Sequence, residues 1–324
     1  MNYCTLFNSN YLSRGMALYH SLLINASHFH LFIFTFDIQT YKALSKLNLA
    51  FVTLISLNEF ETADLLKVKR SRTVAEYCWT CTPAVILHCL EKHNLFEVCY
   101  LDADLFFWGD PAILLSEANE SSILITEHRY TPDYDQSVAS GKYCVQFMYF
   151  KNNLSGINAL IWWRDACIQW CYNRVEDGKF GDQKYLDDWT TRFEGVKVLE
   201  HLGGGVAPWN VQQYSVDVSN EKIELKETST GKIFPLIFYH FHALKFVDDQ
   251  IDFGGYKLSQ KVIQNIYHPY VKALLAQEKS LQTTMNLHGR STSTKTILNT
   301  LRRLKSKWQG IDNQYAIAEF KLQD

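Results

Sequence analysis

Val98-Cys99-Tyr100-Leu101-Asp102-Ala103-Asp104-Leu105-Phe106-Phe107-Trp108-Gly109-Asp110-Pro111 is the stretch on which the reading of this chain turns. Residues 98–101 are a short apolar run of the kind that forms a fully buried strand. Two carboxylates one residue apart close it, and a second greasy run, 105–108, follows. Asp110 then suits a helix N-cap and Pro111 the first helical position, where its missing N–H costs nothing. Burying two adjacent negative charges between hydrophobic flanks is expensive unless a cation compensates them. Mg²⁺ and Mn²⁺ prefer oxygen ligands, commonly one or two carboxylates plus substrate phosphates. Ligands in open α/β sheets bind at the carboxyl ends of strands. The stretch therefore predicts a metal–diphosphate clamp at a strand end. Asp133-Tyr134-Asp135 repeats the pattern without a preceding strand and reads as a solvated loop.

Working outward, strand-like segments at 3–7, 31–35, 52–56, 123–126 and 143–150 alternate with helical patterns such as 14–23 and 74–93. That alternation predicts an α/β domain with a mostly parallel sheet flanked by helices. Residues 159–175 read as an amphipathic helix with Leu160, Trp163, Cys167, Trp170 and Cys171 on one face. A helical stretch at 184–189 and a late strand at 236–241 follow. Gly203-Gly204-Gly205 reads as a flexible loop, since it lacks the strand–helix context of a dinucleotide fingerprint. The simplest division is a catalytic-type domain over 1–275 and a tail over 276–324.

The 324 residues, 47% of them hydrophobic and with a net charge of −2, describe an ordinary globular protein. No apolar run approaches a membrane span and no secretion signal is evident, so a cytoplasmic location is expected. The eight cysteines then read as reduced core residues. A zinc site on Cys78/Cys81 or Cys167/Cys171, with His88 or His93, lacks the second half of a zinc signature. Seven of the 32 basic residues lie between Lys279 and Ile311, where there is no Asp or Glu; this leaves 25 against 34 acidic residues elsewhere. No nucleic-acid partner is expected. In that tail Ile297, Leu298, Leu301, Leu304 and Trp308 share a helical face. This describes either a basic amphipathic helix lying on an anionic membrane surface, peripheral at the inner face of the cell membrane, or a helix packed on the domain with a solvated basic face.

Three further segments join the aspartates: Gly181-Asp182-Gln183, Ala207-Pro208-Trp209-Asn210, and the run from Phe238 through His240 and His242 to Lys245. His240 and His242, two apart on a strand, point to one face. A neutral imidazole there can complete a metal site, and Lys245 can meet a phosphate as a point charge. Each residue also has a plainer reading. Asp182 suits an N-cap, the histidines suit satisfied interior positions, and Asn8-Ser9-Asn10 is an ordinary turn sequence. Trp209 and Asn210 either line an acceptor side or belong to an element that Pro208 ends.

The order of these motifs resembles the nucleotide-diphospho-sugar transferases of the GT-A fold, a Rossmann-like α/β fold, and especially glycosyltransferase family 8. The matching places are Phe7-Asn8-Ser9, Tyr77 to Pro83, Tyr100 to Asp104, Tyr143 to Phe150, Asp182-Gln183 and His240 to Lys245. They span about residues 3 to 250. The resemblance implies a metal-dependent glycosyltransferase using Mn²⁺ or Mg²⁺ and a nucleotide-diphosphate sugar, with a UDP-sugar expected. It implies that Asp102, Asp104 and His240 ligate the cation, with His242 as the alternative imidazole. Asp102 would be shared with the donor ribose, Asn8 would lie near the base and Lys245 near the diphosphate. Asp182 and Gln183 would be the catalytic pair facing the sugar. The acceptor would be a glycan or lipid-linked sugar of a bacterial surface polysaccharide, and the anomeric configuration would be retained.

The chain departs from the family at several points. Trp79 replaces an arginine that contacts donor phosphates, so that Lys69, Arg70 or Arg72 would have to supply the charge. Cys144 and Gln146 replace Asn and Gly, and Ala243 replaces a glycine. These departures keep open a catalytically degenerate fold that binds glycan or nucleotide. A Mg²⁺-dependent phosphohydrolase is a further alternative, although Phe106 stands where that class would carry a Thr or Ser.

Overall fold

The computed structural model describes residues 1–219, 222–285, 311 and 313–320. Its centre is a seven-stranded sheet built from β1 (Asn2–Phe7), β2 (His30–Thr35), β3 (Val52–Ser56), β4 (Glu97–Leu101), β6 (Ile123–Glu127), β7 (Tyr143–Lys151) and β8 (Val196–Val198). Between β4 and β6 the chain adds β5 (Leu105–Phe107), which stands outside this sheet. The spatial order is β3-β2-β1-β4-β7-β6-β8. β7 pairs antiparallel with both its neighbours, and every other pairing is parallel, so six strands run one way and β7 alone runs back. The expected mostly parallel α/β sheet is what forms.

Period-two patterning explains why the sheet is covered on both faces. Tyr3 and Phe7 of β1 join one core cluster with Leu12, Met16, Leu18 and Leu22. Cys4 and Leu6, pointing the other way, join a cluster with Tyr77 and Val85 on one helix and Leu160 and Trp163 on another. The helices responsible are α1 (Leu12–Asn25), α2 (Val74–Lys92) and α3 (Leu154–Gln169). α2 starts at a capping box of Thr73 and Glu76. α3 starts where the Asn153 side chain accepts the Gly156 N–H at 3.0 Å, five residues ahead of the sequence expectation. It also ends early, at Gln169. Trp170 is extended there, and the Tyr185 hydroxyl donates to the carbonyls of Ala166 and Trp170. Trp170 and Cys171 are buried all the same, beyond the helix rather than on its face.

Local differences of the same kind occur elsewhere. The helix expected after Asp110 is the single turn Ala112–Leu115, and Asp110 Oδ1 accepts the Ala112 N–H at 2.9 Å. Residues 183–192 form a tight turn, Gln183–Asp188, and a short helix, Trp189–Arg192. The glycine triplet is not a flexible loop. All three glycines are buried, and the Gly203 carbonyl accepts the N–H groups of Ile237 and Phe238. A Cβ on Gly203 would lie 2.0 Å from the Pro235 carbonyl, so the residue is there for close approach.

A third cluster sits beside the sheet. It gathers a meander, β9 (Tyr214–Ser219), β10 (Lys222–Glu227) and β11 (Ile233–Pro235), with β12 (Phe238–His240) and a small sheet of β13 (Lys245–Val247), β14 (Gln250–Asp252) and β15 (Gln314–Ala316). Helix α4 (His268–Met285) packs on it. The division expected after residue 275 falls inside α4, and Gln314–Ala316 pair antiparallel with β14. The amphipathic face expected from Ile297 to Trp308 lies outside the described residues. Among the described residues no helix is long and apolar enough to cross a membrane.

Candidate metal centre and its cleft

β1 is flanked by β2 on one side and β4 on the other, so the strand order reverses there and a crevice opens at the carboxyl ends of β1 and β4. Asn8 follows β1 and Asp102 follows β4. Both line a cleft of about 720 Å³. The other wall comes from β12. It pairs antiparallel with β5 so that His240 lies opposite Leu105, and the Phe241 N–H donates to the Asp104 carbonyl at 3.0 Å. Backbone pairing thus brings the histidine to the aspartates.

His240 Nε2 is 3.1 Å from Asp104 Oδ1 and 3.8 Å from Asp102 Oδ2. The Tyr100 hydroxyl donates to Asp102 Oδ1 at 3.0 Å. Among the described residues, Asp102, Asp104 and His240 form the one group of three His, Cys, Asp or Glu residues whose ligand atoms all lie within 4.8 Å of one another. Two carboxylate oxygens and an imidazole nitrogen at these distances are a donor set that can hold a divalent cation. The electrostatics show the same demand for positive charge. Burial lifts Asp102 to about 6 against the pull of His240. Burial also works on Asp104, but the charge and hydrogen bond of His240, helped by Arg14 and His242, hold it near 2. Burial disfavours the imidazolium of His240, yet Asp104 raises it well above the ordinary histidine range.

His242 lies in the turn after β12 and lines the cleft, its ring 6.0 Å from that of His240, but it stands outside the triad. Burial and the charge of His240 depress it to about 4, which leaves it neutral. Trp209 is wedged edge-on against both rings, at 5.3 and 5.4 Å. Asn210 is wholly buried and structural: its amide donates to the carbonyls of His128 and Gly205, and its oxygen accepts the Ala207 N–H.

At the far end of the cleft, Gly181 takes a left-handed turn (φ 52°) and Asp182 follows, 5% exposed. Although Asp182 heads a tight turn, its side chain makes no capping hydrogen bond. Its carbonyl accepts the buried Trp163 indole N–H at 2.9 Å, which fixes its place. Burial, then the charge of Asp102, pushes its carboxyl up to about 7. Gln183 also lines the cleft, with its amide donating to the Ser140 carbonyl. Trp79 covers this end, packed over Gly181 and against Phe180.

Other expectations separate from the site. Lys245 is exposed on β13 and does not line the cleft. Lys69 pairs with Glu61 at 2.5 Å, Arg72 lies over the Tyr172 ring at 3.8 Å and Arg70 is exposed, so none of the three lines it either. Among the described residues the lining contains no Lys or Arg. The cation nearest in effect is Arg14, which the sequence reading passed over. It is 7% exposed, donates to the Leu244 and Asn10 carbonyls, and lowers Asp104. Its one signal was a position six residues past Asn8. Tyr130 and Tyr256 were also missed, since no motif surrounds them. Cys144 lines the cleft, while Gln146 is buried with neither amide atom bonded. All eight cysteines are free, and neither cysteine pair forms a ligand group with a histidine among the described residues.

No protein-family model matches the chain. Two uncharacterized proteins of Bacillus subtilis (strain 168) match most of its length. YfnD is 32% identical over 281 residues, covering 83% of this chain and 87% of YfnD. YfnF is 32% identical over 253 residues, covering 76% and 82%. Among solved structures, the galactosyltransferase LgtC in complex with donor and acceptor sugar analogs aligns with a TM-score of 0.53 at 10% identity, over 85% of this chain and 96% of its own. At that identity the likeness is one of fold, and the fold is GT-A.

Proposed function

We propose that this chain, which belongs to the family of the Bacillus subtilis proteins YfnD and YfnF and carries the GT-A fold, is a metal-dependent glycosyltransferase. It takes a sugar from a nucleotide-diphosphate sugar, with UDP as the carrier, and transfers it to a glycan or glycolipid acceptor. The observation that carries this reading is a triad of Asp102, Asp104 and His240 in a cleft whose described lining has no Lys or Arg. A diphosphate entering such a cleft meets two carboxylates, and only a cation held by the triad makes that encounter favourable.

Asp102, Asp104 and His240 would hold Mn²⁺ or Mg²⁺, which supplies positive charge to offset the charge that develops on the departing diphosphate. In the transfer the bond between the anomeric carbon and the diphosphate oxygen breaks, a bond to an acceptor hydroxyl oxygen forms, and that hydroxyl's proton passes to the departing diphosphate. Asp182 and Gln183 face the sugar, where a carboxylate stabilises positive charge growing on the ring and an amide orients a hydroxyl. Trp79, in place of a basic side chain, walls the sugar end with an apolar surface. Asn8 borders the nucleoside end. Retention at the anomeric carbon and a role in building bacterial surface polysaccharide, met at the inner membrane face, belong to the same proposal.

The test is thermal unfolding with UDP, GDP, CDP or dTDP, each with and without Mn²⁺. A ligand at about 100 times its Kd adds roughly 2.7 kcal/mol, a shift of a few degrees for a chain this size. Stabilisation by UDP only when Mn²⁺ is present is expected. No response to any nucleotide with metal overturns the reading.

A further inference from the structure

Asp102 and Asp104 carry two negative charges, so a divalent cation held between them is neutralised by its own ligands. A nucleoside diphosphate brings further negative charge. Among the described residues the cleft lining holds no Lys or Arg to meet it. The basic side chains expected there have gone elsewhere: Lys245 is exposed on β13, and Lys69 is paired with Glu61.

Arg14 stands just behind that lining. It lies in the first turn of α1 and is 7% exposed. It donates to the Asn10 carbonyl at 3.3 Å and to the Leu244 carbonyl at 2.9 Å, both neutral acceptors. Among the described residues it forms no ion pair. A buried guanidinium without a carboxylate partner is costly, and an anion close by offsets that cost.

Two contacts hold the guanidinium against the cleft. On one side it is covered by the ring of Tyr11, at 4.6 Å, and Tyr11 lines the cleft. On the other, backbone hydrogen bonds lead to it from the metal triad. The Phe241 N–H donates to the Asp104 carbonyl at 3.0 Å, the Leu244 N–H donates to the Phe241 carbonyl at 3.3 Å, and Arg14 closes the chain on Leu244. Arg14 thus ties the loop after Asn8 to the turn after His242. Its charge is felt in the site as well: burial would raise Asp104, and Arg14 joins His240 in holding it low. Buried charges are screened little by water or salt.

We infer that Arg14 is the cation behind the donor diphosphate: without touching the phosphates, it supplies through the Tyr11 wall the positive charge that the cleft lining lacks. The words donor diphosphate rest on the transferase reading. The charge of Arg14 beside the triad does not, and the experiment separates the two.

A cation in this place favours an anion and disfavours a second cation, so removing its charge should move two affinities in opposite directions. Calorimetry on the full chain measures the binding of Mn²⁺ alone, then of UDP and of uridine at saturating Mn²⁺. Arg14→Gln loses the charge and keeps a donor for Leu244. Arg14→Met is a second neutral variant that preserves the packing of the stem, and Arg14→Lys keeps the charge. In the neutral variants Mn²⁺ is expected to bind about threefold or more tightly and UDP about tenfold or more weakly. Uridine, which has no phosphate, should bind as it does to the parent. Arg14→Lys should stay within about threefold of the parent throughout. Mn²⁺ and UDP weakened together, an equal loss for uridine, or Arg14→Lys behaving like the neutral variants would mean that Arg14 acts by shape alone, and overturns the inference. So do unchanged affinities, or two neutral variants that both fail to fold. A parent chain that binds Mn²⁺ but not UDP removes the transferase reading and the diphosphate with it; the Mn²⁺ measurement then still decides whether the charge of Arg14 reaches the triad.

Discussion

His240 Nε2 lies 3.1 Å from Asp104 Oδ1, and the contact is set by the main chain. β12 and β5 pair with His240 opposite Leu105, and the next N–H, that of Phe241, donates to the Asp104 carbonyl. A ladder of this kind fixes side-chain origins more firmly than rotamer choice does, because each backbone bond it makes is buried and would otherwise be lost. His240 is therefore held beside the aspartates by the backbone itself.

It follows that Asp104→Asn leaves the fold intact and removes the cation's affinity. The carboxamide keeps the shape but not the charge. Transfer activity is expected to fall by more than 100-fold, because loss even of the groups that orient metal ligands costs 10–100-fold. The metal-dependent rise in melting temperature with UDP should vanish as well. A variant that keeps both would show that the triad is not the metal site, and one that keeps its biological role without turnover would favour a degenerate binding protein.

Gly203→Ala tests the platform under β12. The new Cβ would meet the Pro235 carbonyl at 2.0 Å, and neither backbone can yield without breaking the bonds from Ile237 and Phe238 to Gly203. Overpacking of this kind costs about 1–3 kcal/mol. Urea unfolding should show a loss of that size, and binding of Mn²⁺ should weaken in step, since β12 carries His240. Unchanged stability would mean that the glycine is there for another reason.

What was legible in the sequence divides along the same line. The strand before Asp102, the aspartates themselves and the histidine motif are local patterns, and the β/α alternation declares the parallel sheet. The reversed direction of β7 was not legible, because a run of eight buried, mostly apolar residues looks the same in either direction. Lys245 was expected at a phosphate and is exposed on β13, since the turn at Ala243 sends the chain away from the cleft after His242. Arg14 influences Asp104 from the first turn of α1, a proximity that only the packing of that helix on the sheet creates. The glycine triplet looked like a flexible loop because composition records conformational freedom and not what the backbone packs against.

Asp182 gives the pH dependence. Its carboxyl is pushed by burial, then by Asp102, from its ordinary 3.8 to about 7. Between those values the folded chain binds more protons than the unfolded one, so this residue's contribution to stability is complete below about pH 4 and is lost as pH rises through 7. Asp182→Asn cannot ionise and should escape that loss. With metal removed by EDTA, the stability of the variant relative to the parent should grow by roughly 2–3 kcal/mol between pH 5 and pH 8, at about 1.4 kcal/mol per pKa unit. Denaturant unfolding at the two pH values measures it. A constant difference would mean that Asp182 is charged throughout.

Ala243 holds a left-handed backbone, φ 66°, at the place where the resembling family has a glycine, and a Cβ on Gly254 would come within 3.0 Å of the Ala243 Cβ. A non-glycine residue in that conformation costs about 1–2 kcal/mol. Reverting to glycine removes the strain but frees the unfolded chain, which returns about 0.5–1 kcal/mol to the other side. The strain is the larger of the two, so Ala243→Gly is expected to stabilise by about 0.5–1 kcal/mol. Urea midpoints of the two proteins check the sign. The turn also orients His242 and starts β13, so the same variant should leave UDP and Mn²⁺ binding unchanged if the conformation is kept. Destabilisation would show instead that the Ala243 methyl is held by packing worth more than the strain it causes.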